Sequence, residues 1–176
     1  MQIRNATDED RPALDHVHRI AFGDHGAVVA GLLPELTATV SLVAEADGEV
    51  VGHVQCGPGW LDAPRRLLEV LVLSPLGVLP EQQGHGVGRA LVGAALAQAA
   101  ELGSPAVFLE GDPAYYRRLG FRAGGELGFR RPSLRIPEAA FQVVLLPAHQ
   151  PWMTGTLVYP DVFWRHDAVG LRDPDA

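Results

Sequence analysis

The sequence predicts a mixed α/β fold in which helices cover both faces of a mixed sheet. Three observations predict it. Strand-like and helix-like apolar periods follow one another in the order β-α-α-β-β-β-α-β-α-β, with further strand material near the C-terminus. Asp47-Gly48 separates two strand-like runs and marks a two-residue hairpin. A long apolar run, Leu67 to Val78, leads through a tight glycine turn into a helical pattern that lasts to Leu102.

In chain order, Gln2 to Asn5 is a short strand, and Thr7-x-x-Asp10 resembles a capping box at the mouth of a helix with Leu14, Val17 and Ala21 on one face. Pro12 fits only in that helix's first turn. A second helical pattern carries Val28, Val29, Leu32, Leu33 and Leu36 and is disturbed by Pro34. Strands are expected at Ser41–Ala46 and Glu49–Gln55, the second ended by Gly57-Pro58-Gly59. Ser74-Pro75 interrupts the Leu67–Val78 strand, where a bulge or splayed edge is expected because proline donates nothing to a ladder. The next helix stops at Gly103, with Pro105 just beyond. Ala106–Glu110 is a strand, Asp112-Pro113 caps a short helix that Gly120 ends, and Phe141–Leu146 is a strand after an irregular loop, Arg122–Pro137. The polar, proline-bearing segment 164–176 is expected to fray.

At 176 residues the chain is expected to form one domain, 1–176. Hydrophobic content is 47%, with no run near the roughly 20 apolar residues of a membrane span. The polar, acidic start, Met1 to Asp10, resembles no secretory signal. The one cysteine, Cys56, excludes an internal disulfide and suits a reducing compartment, so a cytoplasmic location is expected. A formal net charge of −7 argues against a nucleic-acid partner. The arginine pairs at 65–66, 117–118 and 130–131 read as solvated faces or loops, with contact to a ligand phosphate as the alternative for Arg117 or Arg118, which share a helix with Tyr116. His16 and His18 lack the spacing of a helical metal pair, and no metal site is expected; both are read as exposed or core-edge residues.

The stretch Gln83-Gly84-His85-Gly86-Val87-Gly88-Arg89 carries the functional signal. A helix N-terminus presents unpaired N–H groups and about half a positive charge, and glycines let an anion reach them. Two phosphate motifs fail here. No lysine closes the loop as a P-loop requires, and Arg89 stands where a dinucleotide fingerprint needs glycine.

Gln83-x-x-Gly86-x-Gly88, after the Leu76-x-Val78 strand, resembles the coenzyme A pyrophosphate loop of the GNAT (Gcn5-related) N-acetyltransferase superfamily. A second block, Gly111-Asp112-Pro113-Ala114-Tyr115-Tyr116-Arg117-Arg118-Leu119-Gly120-Phe121, resembles that superfamily's Tyr-x-x-x-Gly-Phe segment. Gly52-His53-Val54, and Gly155-Thr156 through Tyr159-Pro160, make the chain most similar to the YhbS-like branch. The resemblance implies a mostly antiparallel sheet splayed into a V, with acetyl-CoA as cosubstrate, an amine of a small molecule or protein as acceptor, and no metal. It implies that Gln83 through Arg89 hold the coenzyme diphosphate and that the backbone of Leu76, Gly77 and Val78 bonds the pantetheine arm. A homodimer is common in that family. A noncatalytic acyl-CoA-binding module on the same fold is the alternative.

Acyl transfer to an amine needs a deprotonated nucleophile and a stabilised thiolate. Presenting an amine of pKa about 10.4 in neutral form at pH 7 costs about 4–5 kcal/mol. Tyr116 aligns with the tyrosine that is often the family's general acid; Tyr115, one residue off that spacing, reads as a core aromatic. A phenol near pKa 10 is a weaker acid than a thiol near 8.5, so Tyr116 is expected to hydrogen-bond the thiolate before giving up its proton. Glu69, Glu110, His53 and water all stay open as the base. Cys56 lacks an activating partner in the sequence.

Overall fold

The computed structural model describes residues 1–175. Its elements are β1 (Gln2–Asn5), α1 (Arg11–Ala21), α2 (Gly26–Leu32), β2 (Val40–Ala46), β3 (Glu49–Asp62), β4 (Leu67–Val78), α3 (Val87–Glu101), β5 (Ala106–Glu110), α4 (Pro113–Tyr116), β6 (Arg122–Ala123), β7 (Phe129–Arg130), β8 (Phe141–Leu145), β9 (Gly155–Val158) and α5 (Asp161–Arg165). The fold is the expected mixed α/β arrangement with a mostly antiparallel sheet. The chain divides into two compact units, Met1–Gly57 with Leu73–Leu102, and Pro58–Val72 with Gly103–Ala176.

In the first unit the strand order is β1-β2-β3-β4, and the β1–β2 and β2–β3 ladders are antiparallel. Asp47 and Gly48 both take positive φ, 52° and 82°, as the two-residue hairpin requires. Beyond the turn the pairing slips. Glu45 faces Val50, yet Ala44 faces Gly52, so Val51 is an extra residue in β3 and every later β3 side chain changes face. Helices cover both faces. A methyl at Gly52 would meet Leu91 and Val87 of α3, whereas the next residue, His53, turns to His18 of α1. The core of this unit joins Val17, Val43, Val54, Leu91, Ala95 and Ala99, all fully buried.

The Thr7–Asp10 capping box forms, with the Thr7 amide donating to the Asp10 carboxylate at 2.8 Å. It opens a 3-10 turn over Asp8–Asp10 that leads into α1, with Pro12 in the first turn. Arg4 grips Asp10 with two 2.8 Å bonds and reaches Glu45 at 3.0 Å, tying β1, the turn and β2 together. That guanidinium holds the Asp10 carboxyl well below the usual carboxylate range.

Strand β3 does not stop at Gly57-Pro58-Gly59, as the composition suggested, but runs on to Asp62. The reason is a change of partner. Pairing with β2 ends at Cys56 and pairing with β9 begins at Trp60, so Pro58 sits where neither ladder asks it for an N–H.

In the second unit β4-β5-β8-β6 are neighbours, and β9 joins β3 to β7. β5–β8, β6–β8 and β3–β9 are antiparallel; β4–β5 and β7–β9 are parallel. Parallel pairing of β4 with β5 is confined to two rungs, Leu71↔Val107 and Val72↔Phe108. The core centres on Phe108, Phe121, Ile136, Val143 and Leu157. The 122–137 loop, expected to be irregular, contributes the short β6 and β7. Within segment 164–176, Val169 is fully buried, the Gly170 amide donates to Glu110, and the Leu171 amide donates to the Arg135 carbonyl. Among the described residues no helix is long and apolar enough to cross a membrane.

Candidate active site

The turn between β4 and α3 engages its first amides and leaves the later ones free. A 3-10 turn over Pro80–Gln82 uses the Gln82 and Gln83 amides on the Leu79 and Pro80 carbonyls. The Gln83 side chain reaches back to the Val78 carbonyl at 2.9 Å and fastens the turn to the strand end. The first α-helical bond is Ala90 N to Gly86 O, at 3.0 Å. Val87, Gly88 and Arg89 therefore form the first turn, whose N–H groups have no carbonyl behind them. Gly86 is the N-cap with φ 84°, and Gly84 has φ 77°. A methyl at either glycine would point into open space. Gln83, Gly84, His85, Gly86 and Arg89 are exposed, Gly88 half-buried and Val87 buried as an anchor into the core. What results is an open cluster of amides at the positive end of a 15-residue helix, with Arg89 beside it.

Leu76, Gly77 and Val78 are the last residues of β4. Gly77 is forced to be small: a methyl there would lie 2.7 Å from His18 Nδ1. His18 and His53 are both fully buried and bonded to each other, Nε2 to Nδ1 at 2.8 Å, with rings edge-on at 80°. His53 Nε2 then meets Ser41 Oγ at 2.9 Å. Burial depresses both imidazoles, to about 4 for His18 and about 3 for His53, so both are neutral at pH 7. His18 is thus no exposed or edge residue. Its companion lies 35 positions away, and the slip at Val51 decides which face His53 takes.

Tyr116 closes α4, whose start is capped by Asp112 accepting from the Ala114 amide at 2.8 Å. Its ring packs edge-on against Tyr115 and Phe121, centroids 4.9 and 5.6 Å away, and it occupies the space a side chain at Gly111 would need. Burial, and then Tyr115, push its hydroxyl well above the usual phenol value, so it stays protonated across neutral pH. Tyr115 is half-buried in the same aromatic group.

The proposed bases separate by environment. Glu110 has both oxygens engaged, Oε2 accepting from Tyr159 OH and Oε1 from the Gly170 amide, each at 2.9 Å. Burial raises its pKa while those bonds oppose the rise. It fastens the C-terminal segment. Glu69 is exposed on β4, and His53 is committed to His18 and Ser41. The Cys56 thiol is buried and pushed up to about 12, which removes it as a nucleophile. Among the described residues no three His, Cys, Asp or Glu side chains group to hold a metal.

Comparison with known proteins identifies the family and relatives that share the fold. Residues 8–121 match the family model for the acetyltransferase (GNAT) family. YhbS of Escherichia coli K12, named as an uncharacterized N-acetyltransferase, is 35% identical over 148 residues, covering 81% of this chain and 86% of its own. YjhQ of the same strain, also named as an uncharacterized N-acetyltransferase, is 33% identical over 144 residues, covering 76% and 77%. The crystal structure of E. coli YhbS with CoA superposes with a TM-score of 0.78 at 31% identity, over 93% of this chain and 92% of that one. A GNAT family acetyltransferase from Brucella melitensis in complex with acetyl-CoA gives 0.71 at 30% identity, over 92% and 97%. The chain belongs to the GNAT acetyltransferase family.

Proposed function

We propose that this protein transfers an acetyl group from acetyl-CoA directly to an amine of a small molecule or protein. The observation that carries the reading is the exposed amide cluster between Gln83 and Arg89, at the start of α3 and directly after β4. It suits a diphosphate: several N–H donors converge, a helix dipole favours negative charge, and no side chain at Gly84 or Gly86 obstructs approach. The coenzyme complexes of YhbS and the Brucella protein support the same ligand here. In this reading the backbone of Leu76–Val78 bonds the pantetheine arm, and Tyr116, by the family resemblance, serves the departing sulfur.

Tyr116 acts as a hydrogen-bond donor to the developing thiolate. Its raised pKa makes complete proton transfer to a thiolate of pKa about 8.5 more uphill than for an ordinary phenol. A donor that keeps its proton still stabilises charge where the charge forms. With Glu110 and His53 committed to structure, the amine's proton leaves by Glu69 or water.

The test is release of free thiol from acetyl-CoA in the presence of a panel of amines. Wild type releases thiol with at least one amine, and Tyr116→Phe lowers kcat about 100-fold while acetyl-CoA affinity stays within a few-fold. Unchanged turnover in Tyr116→Phe removes the tyrosine from the mechanism. Coenzyme binding without turnover across the panel favours a noncatalytic acyl-CoA-binding module instead.

A further inference from the structure

A cavity of about 550 Å³ opens between the start of α1, the α2 region and the β2–β3 ladder, within the size range of small-molecule sites. Its floor is polar. Ser41 and Gln55 are directly paired across β2 and β3, so their side chains share one face. Gln55 is only 4% exposed, yet its Nε2 is buried with no hydrogen-bond partner among the described residues. A buried donor without a partner costs roughly 1–3 kcal/mol, which an oxygen from a ligand would relieve. Ser41 is held by the neutral His53–His18 pair, so the floor is fixed and uncharged.

The remaining lining gives the ligand its other features. Leu14, Ala30, Leu33 and Leu36 supply hydrocarbon walls. Asp8 and Asp15 line the α1 side with Arg11 as the only lining cation among the described residues. Asp8 is paired with Arg11 and Asp15 with Arg19, at 2.8 and 2.7 Å. Each carboxylate is engaged through one oxygen, leaving Asp8 Oδ2 and Asp15 Oδ1 as acceptors without a partner among the described residues. We propose that this cavity binds a small aliphatic amine carrying a carbonyl oxygen, the oxygen taking the free Gln55 Nε2 donor, the hydrocarbon lying on the leucines and the ammonium turning to Asp8 and Asp15. Nothing in the site calls for coenzyme, so it can be tested without it.

L-leucinamide is the probe, with isoamylamine as the analogue that lacks the carbonyl. Calorimetric titration of wild type is expected to show leucinamide binding in the millimolar range or tighter, about tenfold tighter than isoamylamine. Gln55→Leu removes the donor but keeps the bulk, and should lose the same factor for leucinamide. Because it replaces an unsatisfied polar group by hydrocarbon, its Tm should hold or rise, which separates a lost ligand contact from a damaged fold. Ala38→Trp, at an exposed lining position, should weaken leucinamide by obstructing entry. The proposal is overturned if wild type takes up no leucinamide, if isoamylamine binds equally well, or if Gln55→Leu binds like wild type. An acetyl-CoA titration of the same samples reports on the coenzyme reading separately.

Discussion

The amide cluster before α3 and the histidine cluster under α1 belong to the same compact unit and use polar groups in opposite ways. The first is exposed, made of backbone, and emptied of side chains by glycines. The second is buried, made of side chains, and nearly saturated: His18, His53 and Ser41 bond one another and leave only His18 Nδ1 without a partner among the described residues. An open amide cluster gains by taking a ligand and adds little to stability when empty. A buried imidazole pair holds the helix to the sheet, and its removal leaves unsatisfied atoms in a dry interior. The lesson is that free polar groups at the surface point to binding, while satisfied ones in the core point to architecture.

The sharpest way to break this contrast is Gly86→Val. At φ 84° a β-branched residue is a conformational outlier, and its side chain would project into the space proposed for the diphosphate. Acetyl-CoA affinity by calorimetry should fall about 100-fold, roughly 2.7 kcal/mol, while the protein remains folded. An affinity within a few-fold of wild type would erase the distinction. His53→Leu tests the other side. It strands Ser41 Oγ and His18 Nε2, so denaturant unfolding at pH 7 should show a loss of about 2–3 kcal/mol with coenzyme affinity little changed.

The same variant sharpens the comparison through pH. Both imidazoles have folded pKa values depressed below the unfolded value of about 6.5. Below about pH 6.5 the unfolded chain binds protons that the native state refuses. Their contribution is present above that pH and lost as pH falls toward 4 and then 3. Wild-type stability should decline across that window by at most about 1.4 kcal/mol per pH unit for each histidine, and His53→Leu should flatten the slope. Asp10, held low by Arg4, contributes its own loss only at more acid pH.

Much of this was legible in the sequence because it is local. The hairpin at Asp47-Gly48, the capping box at Thr7–Asp10, the Asp112-Pro113 cap and the glycines before α3 depend on a few neighbouring residues, and each forms as expected. The histidine cluster was not legible, because it depends on pairing register. From the hairpin alone Gly52 would face Val43 and His53 would face Leu42; the extra residue Val51 makes His53 the partner of Val43 instead and turns it toward α1. No local residue pattern announces that slip. The continuation of β3 through Gly57-Pro58-Gly59 was hidden for the same reason, since it needs a second partner strand about 100 residues later. Gln55 was legible only as a strand residue, and its orphaned amide becomes visible once both helices stand over β2 and β3.

The most direct test of the central claim is titration of purified, folded protein with acetyl-CoA and with CoA by isothermal calorimetry at two salt concentrations. Saturable one-to-one binding of both, tighter than millimolar and weaker at the higher salt, is the expected result for a diphosphate on helix-terminal amides beside Arg89. No heat with either compound up to millimolar concentration would contradict it.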